Sequence, residues 1–423
     1  MRWRFRASDK RGDVEAEKRR ISLLERTFKS VPAIIIGVVL TFALSRSGLF
    51  RQFETYAIDT QVRLQGPAPD SDVAVVLIDD ADYLNIFQEK SPLDEAGLKK
   101  IIDAIAAGRP RVIGVDIDTS APEFRALRPQ PGWPATVWAR NGSFSNRDGR
   151  YHVSRLLGEQ QPPVAAGLVV SQLDADGAVR RYQRVCETNR GPMDSFAWAV
   201  AKQFDPASAA RRPPTTKSLF VNFAGDKEGS HRLHFTASRV LELADGPGWQ
   251  EDSPVKDKIV LLGGAYGATD EHDTPLGWML GVEVMAYTVE TELRGGGLPP
   301  PNPVLVTVIG GLAGLGLLLL FQHFTTPKAV LVSLLVIPAV GMLSSLVTFE
   351  TMAFWAYFVP IPLSVLVQEI YIKVRDYRIK LIKELYQGVV SKKSETEAAA
   401  DGPKGATPAE AATPATAKAE PES

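Results

Sequence analysis

The sequence predicts an α/β domain, with a mixed sheet that contains a βαβ unit, joined to four transmembrane α-helices. Three observations lead to this prediction. Short apolar runs alternate with an amphipathic helical pattern between residues 73 and 118. Four long apolar blocks lie outside that region, one before it and three near the end of the chain. The chain of 423 residues has room for one large or two ordinary domains.

Charge and cysteine content exclude several classes of protein. The formal net charge is −1, so no overall basic field favours nucleic acid as a partner. Cys186 is the only cysteine, which rules out an internal disulfide and a multi-cysteine metal site. We expect no nucleic-acid partner, no metal and no cofactor.

The four apolar blocks cover residues 31–50, 303–321, 329–349 and 352–372. Each is long enough to cross a bilayer, which takes about 20 residues. A cleaved signal peptide is the alternative for the first block. The long basic region before it and the missing Ala-x-Ala site favour an uncleaved anchor.

Charge bias sets the expected orientation in the inner membrane. Residues 1–30 and 373–390 are rich in Arg and Lys, so the positive-inside rule places both in the cytoplasm. Residues 51–302 then form an extracytoplasmic domain. Gly310 and Gly314 have the spacing of closely packed membrane helices, either within one bundle or in a homodimer.

The predicted extracytoplasmic domain starts with a helix over residues 53–64. Asp59 and Arg63 stand four apart on one face of this helix, a spacing suited to an ion pair. A strongly apolar strand follows over residues 73–78.

An amphipathic helix and a second strand complete the βαβ unit. Ser91 is the expected cap of this helix, with Pro92 in its first turn, and the helix extends to Ala107. A buried strand over residues 111–118 follows. Because the links are short, the two strands are expected to be parallel neighbours in one sheet.

The remaining elements are predicted from local pattern. The last part of the domain has a strand over 259–262 that Gly263 and Gly264 are expected to break, then an acidic loop and a helix after Gly281. The earlier elements are strands over 134–139, 164–169 and 218–223, a hairpin turn at Asp176-Gly177, and a helix over 195–204.

Acidic residues follow three of the predicted strands. In a parallel sheet such ends share one edge, where ligands usually bind. One hypothesis is a site for a divalent cation or a cationic ligand, and the other is that the carboxylates cap helices and tighten turns. The candidate ligand-binding residues are Asp79, Asp80, Asp116, Asp118, Asp270, Asp273 and Thr274.

The familiar catalytic motifs are missing from the sequence. The stretch Gly263–Gly267 follows a strand but lacks GxGxxG spacing, and no Walker lysine is present. His272 and Asp273 are adjacent, which is poor geometry for a catalytic triad, and no GxSxG elbow exists. The histidines also lack HExxH spacing. We expect no enzymatic activity.

Segments spread along the chain resemble one family. These segments are FETYAIDTQVRL, VAVVLIDDADY, RVIGVDID, LDADGAVRR, LFVNFAG and KIVLLGGAYGATDEHDTPLGWMLGVEVMAYTVETEL. On them the chain is similar, over roughly residues 51–372, to the second class of CHASE domains, the "cyclase and histidine kinase associated sensory extracellular" domains of bacterial receptors. The three closing apolar blocks also fit that family's layout, whereas NIFQEKSPLDEAG stands where the family usually has Trp and Pro signals.

The resemblance implies a membrane-anchored sensory protein that detects an environmental signal and relays it across the membrane. Family members commonly continue into a kinase or cyclase. Here residues 373–390 predict a helical stalk and residues 391–423 a disordered tail, with no effector domain. The signal would therefore pass to a separate cytoplasmic or membrane partner. The alternative function is a structural or scaffold subunit of a cell-envelope complex.

Overall fold

Helices cover both faces of a parallel sheet in the computed structural model, so the predicted α/β class is confirmed. The structure describes residues 70–159, 164–224, 231–267, 270–299, 370–371 and 373–388, with Val39, Thr55, Asp59, Thr60, Val62 and Arg63. In chain order the strands are β1 (Val73–Ile78), β2 (Val112–Asp116), β3 (Ala135–Arg140), β4 (Gly142–Ser145), β5 (Arg150–Val153), β6 (Ala166–Leu168), β7 (Gln172–Leu173), β8 (Val179–Tyr182), β9 (Val185–Thr188), β10 (Gly191–Asp194), β11 (Leu219–Phe220), β12 (Leu233–Thr236), β13 (Ile259–Gly264), β14 (Glu271–Thr274) and β15 (Gly277–Leu280). The helices are α1 (Asp80–Asn85), α2 (Glu95–Ala107), α3 (Phe196–Phe204), α4 (Pro206–Ala210), α5 (Ala237–Ala244), α6 (Pro247–Glu251) and α7 (Gly281–Leu293), with a 3₁₀ turn at Pro122–Ala126.

The central sheet has the strand order β12-β1-β13-β2-β3-β6, and every pair in it is parallel. The prediction that β1 and β2 are neighbours is wrong, because β13 lies between them. Val75 of β1 is opposite Leu261 of β13, which in turn is opposite Gly114 of β2. The apolar residues of β13 are fully buried, and a strand buried on both faces belongs in the interior of a sheet.

Two helical layers enclose this sheet. On one face, α2 and α5 share a core through residues such as Ile101 and Val240. On the other face, α3 and α7 share a second core through residues such as Val200 and Tyr287. The arrangement is a three-layer α/β/α fold. The helix predicted over residues 195–204 is confirmed as α3, and the helix predicted after Gly281 is confirmed as α7.

Antiparallel pairing is confined to three smaller sheets. Their strand orders are β10-β9-β5-β4, β11-β8-β7 and β14-β15. The predicted hairpin turn at Asp176-Gly177 is confirmed, since it joins β7 to β8 and Gly177 has a φ of 86°.

Three local predictions are wrong. Helix α2 starts at Glu95 rather than after Ser91, because the carboxylate of Asp94 accepts from the Gly97 amide at 2.9 Å and caps the first turn. Residues 270–275 are not a loop, since most of them pair in the β14–β15 hairpin. Asp59 binds Arg180 instead of Arg63, as described below.

Gly263 and Gly264 do not break β13 but form its last two residues. Their role is close packing: a Cβ on Gly263 would lie 2.5 Å from the Cβ of Val282 in α7. Glycine therefore lets the start of α7 sit directly against the end of the central strand.

The predicted spans 31–50, 303–321, 329–349 and 352–372 lie outside the described residues, apart from Val39 and residues 370–371. Among the residues that the structure does describe, no helix is both long and apolar enough to span a bilayer. Residues 373–388 are helical and belong to a second structural unit.

Candidate functional site

The C-terminal ends of β1, β13 and β2 form one edge of the central sheet, as predicted from their parallel order. We call this place the acidic edge, because five of the candidate residues lie at or beside it. They are Asp79, Asp80, Asp116, Asp118 and Asp270.

Two of these carboxylates serve local structure. Asp79 caps α1, its Oδ1 accepting from the Asp82 amide at 2.8 Å, and the Asp82 side chain points back to the Asp79 amide. Asp118 accepts from the amide of Ser120 at 2.9 Å, which tightens the turn after β2.

Asp80 connects two elements of the edge. Its Oδ1 accepts from the Gly267 amide at 2.9 Å, so the loop after β13 is tied to the start of α1. Tyr83 and Tyr266 stack over the same connection, with ring centroids 4.3 Å apart. A movement of α1 would therefore shift the loop after β13 with it.

Asp116 has the most perturbed carboxyl group of the edge. Burial, and secondly the negative charge of Asp270, raise its pKa from 3.8 to about 7, while His272 acts in the opposite direction. Asp270 itself bonds His272, with 3.0 Å between Oδ1 and Nε2. Asp116 lies in one electrostatic group with Asp270 and His272, and it is the carboxyl group of Asp116 whose pKa is raised towards neutral pH.

This group adjoins the first residue of α7. The carboxylate of Asp270 packs against the Cα of Gly281, and the Gly281 amide donates to the Asp270 carbonyl at 2.8 Å. The positive end of the helix dipole therefore faces the acidic edge.

The last two candidate residues lie in the β14–β15 hairpin. Thr274 is buried, and its Oγ1 donates to the Gly277 carbonyl at 2.7 Å, so the hydroxyl holds the hairpin turn. Asp273 is exposed on β14 opposite Trp278. Within the described ranges, no group of three or more His, Cys, Asp or Glu side chains is arranged to hold a metal ion.

Buried ion pairs, which were not predicted from the sequence, connect α7 to the rest of the domain. We call Glu283, Glu290 and Glu292 its glutamate set. Glu290 accepts from the Nε and Nη2 atoms of Arg232, each at 3.0 Å, and from the Ser71 hydroxyl at 2.5 Å. Although burial alone would raise the pKa of Glu290, bonds from His231 and the charge of Arg232 lower it to about 2.

Glu283 shares Arg232 with Glu290, whereas Glu292 has its own two arginine partners. Glu283 accepts from Arg232 Nη1 at 2.6 Å and contacts His234 Nε2 at 2.7 Å. The side chain of Glu292 is fully buried and binds Arg184 Nε at 2.8 Å and Arg212 Nη1 at 2.7 Å. Because these pairs are desolvated, removing one partner would leave a buried charge without its counter-ion, which costs far more than breaking a surface pair.

A further buried ion pair reaches the segment that follows the first apolar block. Arg180 of β8 donates to both carboxylate oxygens of Asp59, at 2.7 and 2.8 Å, and its side chain is 4% exposed. Arg180 also binds Asp176, and Arg63 donates to the Pro275 carbonyl at 3.0 Å. Asp59 and Arg63 are thus bonded to β8 and to the turn of the β14–β15 hairpin.

Asp59 and the acidic edge lie in a region of the chain that a known family model matches. A family model described as "CHASE2 domain" matches residues 34–321, more than half of the chain. The chain therefore belongs to the CHASE2 domain family, as the sequence resemblance predicted. No curated protein and no solved structure matches the chain. We call residues 70–299 the sensor domain from here on.

Proposed function

We propose that this protein is a membrane-anchored receptor that relays an extracytoplasmic signal to a separate partner inside the cell. The observation that supports relay most directly is the placement of α7. This helix starts at the acidic edge and ends at Leu293, shortly before the apolar block at 303–321. A change in charge or in bound ligand at Asp116 and Asp270 would act on its first turn.

The position of α7 is set by the glutamate set, so a stimulus must work against these ion pairs. Buried pairs have discrete arrangements, and an interface of this kind switches between positions instead of deforming gradually. The bond between Arg180 and Asp59 gives the sensor domain a second connection, to the first apolar block. Both membrane-bound ends would thus follow the state of one domain.

On the cytoplasmic side, the proposed contact with the partner is the helix over residues 373–388. An exposed apolar stripe runs along it at heptad-like spacing, which suits packing against another helix. The stripe consists of Val374, Tyr377, Leu381 and Leu385, exposed by 51, 68, 44 and 62%. The same proposal includes three further points: both termini lie in the cytoplasm, the protein is in the inner membrane, and it has no catalytic activity.

A genetic experiment tests relay against the scaffold alternative. The variant Glu290→Gln loosens α7 and should alter the cell's expression profile relative to the wild type. Truncation after Ile372 in the same variant should remove that change, because the relaying helix is missing. The matched control is Glu242→Gln, which removes one partner of the exposed ion pair between Arg239 and Glu242. It should leave the expression profile unchanged. A Glu290→Gln response that persists after truncation rules out relay through residues 373–423.

A further inference from the structure

A cavity lies between the start of α3, the middle of α7 and strand β8. Ser195 and Phe196 form one wall, Val284 and Met285 the opposite wall, and Arg181 lies at the side. The space in which the centre of a water molecule fits is about 10 Å³, enough for roughly one water, and the empty space, with the open solvent at the mouth included, is about 270 Å³.

Ser195 has a hydroxyl without a protein partner at this cavity. The residue is 6% exposed, and within the part of the chain that the structure describes its Oγ makes no hydrogen bond. Ser195 holds the N-cap position of α3, where a serine side chain usually accepts from an amide of the first turn, yet it makes no such bond. A buried hydroxyl of this kind normally meets a water or a ligand.

The surroundings favour a negatively charged group next to that hydroxyl. The amides of the first turn of α3 give this end a partial positive charge, and α3 has nine residues. Arg181 adds a cation, partly balanced by Asp174, whose Oδ1 lies 3.4 Å from its Nε. Gly167 fixes the start of α3, because a Cβ there would lie 2.5 Å from the Cα of Phe196.

The rest of the wall is apolar. Leu168, Val179, Phe196 and Met285 present hydrocarbon, and the hydroxyl of Thr288 is already bonded to the Val284 carbonyl at 2.8 Å. A ligand for this site therefore combines one acidic head with a short hydrocarbon chain.

We propose that the cavity binds a small carboxylate of about two to four carbon atoms. Its carboxylate accepts from Ser195 Oγ and the first turn of α3, and its chain lies in the mouth against Met285. Since Met285 and Thr288 belong to α7, occupancy acts on the helix that carries the proposed relay. The consequence for signalling rests on the proposed function, but the binding itself does not.

Calorimetric titration of the full chain in nanodiscs with acetate, propionate and butyrate tests the site. Saturable binding of at least one acid is expected, with propionamide as a neutral control that binds much more weakly. Ser195→Ala should weaken binding about tenfold, since it removes one hydrogen bond to a charged group. Arg181→Gln should weaken it too, whereas Ser143→Ala on an exposed strand should bind like the wild type.

Two results overturn the proposal. If the wild type binds none of the acids, the cavity is a site for water only. Equal binding by the wild type, Ser195→Ala and Arg181→Gln means that the acids bind elsewhere. Binding at Ser195 with no effect of Glu290→Gln in cells would leave this site standing and refute relay, so the two failures are distinguishable.

Discussion

Replacing Glu290 with glutamine is expected to destabilise the sensor domain by about 3 kcal/mol at neutral pH. The lowering of its pKa from 4.5 to about 2 measures how much the fold favours the charged form, and each unit is worth about 1.4 kcal/mol. The side chain is 2% exposed, so little of this energy is lost to solvent screening. Glutamine would also leave Arg232, whose side chain is fully buried, with only Glu283 as its counter-ion.

Urea unfolding of the full chain in detergent, followed by tryptophan fluorescence, measures this difference. Trp138 and Trp198 are buried and report on the sensor domain. The depressed pKa gives a stabilisation that is present above pH 4.5 and is lost as the pH falls towards about 2, so the gap between wild type and variant should narrow in acid. The matched control Glu242→Gln, with its pair 59 and 67% exposed, should cost less than about 0.5 kcal/mol. Equal losses for the two variants would refute the reasoning.

Three further variants test other parts of the structure. Because the pKa of Asp116 is raised to about 7, the wild type loses stability as the pH rises from about 4 to 7. In urea titrations, the free energy of unfolding of Asp116→Asn should therefore rise by about 2 kcal/mol relative to the wild type between pH 5 and pH 8. A difference that does not depend on pH would contradict this. Asp59→Asn should lower the free energy of unfolding by about 2 kcal/mol and speed hydrogen exchange in β8, the strand of Arg180. Unchanged exchange there would show that the ion pair does not stabilise this strand. Gly263→Ala should lower the free energy of unfolding by about 2 kcal/mol through overpacking, and with it the melting temperature. Val282→Ala should partly restore both. A single variant that melts at the wild-type temperature would show that the contact is not tight.

Local pattern was sufficient to find the central-sheet strands β1, β2, β3, β6 and β13 and the helices α2, α3 and α7, but not β12 or α5. The apolar run of β1, the Asp-Gly turn before β8 and the helical spacing of α7 each have a short-range cause, which is visible in neighbouring residues. The start of α2 was misplaced because Ser91 and Asp94 are both residues that cap helices, and in the structure it is the Asp94 side chain that makes the capping bond.

Strand order could not be read from the sequence in the same way. The βαβ pattern correctly indicates that β1 and β2 are parallel, but β13, which follows them by more than a hundred residues, enters between them. Its place depends on burial of the whole strand in the finished sheet, not on any local signal.

The position of the acidic edge was predicted in part, whereas ligand binding there stays a prediction. Parallel strand ends were enough to gather Asp116 and Asp270 at one edge, whereas the roles of Asp79 and Asp118 as caps needed the structure. The glutamate set was missed because its partners, such as Arg232, lie far away in the chain. Ion pairs between distant parts of a chain leave no regular spacing in the sequence. Three glutamates in a helix with an otherwise apolar character were the one available signal.

The most direct measurement of relay places an environment-sensitive label on the helix over residues 373–388. Tyr377→Cys offers an exposed position, and the native Cys186 is buried with a thiol pKa raised to about 12, so it should stay unlabelled. In nanodiscs the label's emission should shift when Glu290→Gln loosens α7 and stay constant in Glu242→Gln. Identical spectra for the wild type and Glu290→Gln would contradict transmission from the sensor domain to this helix.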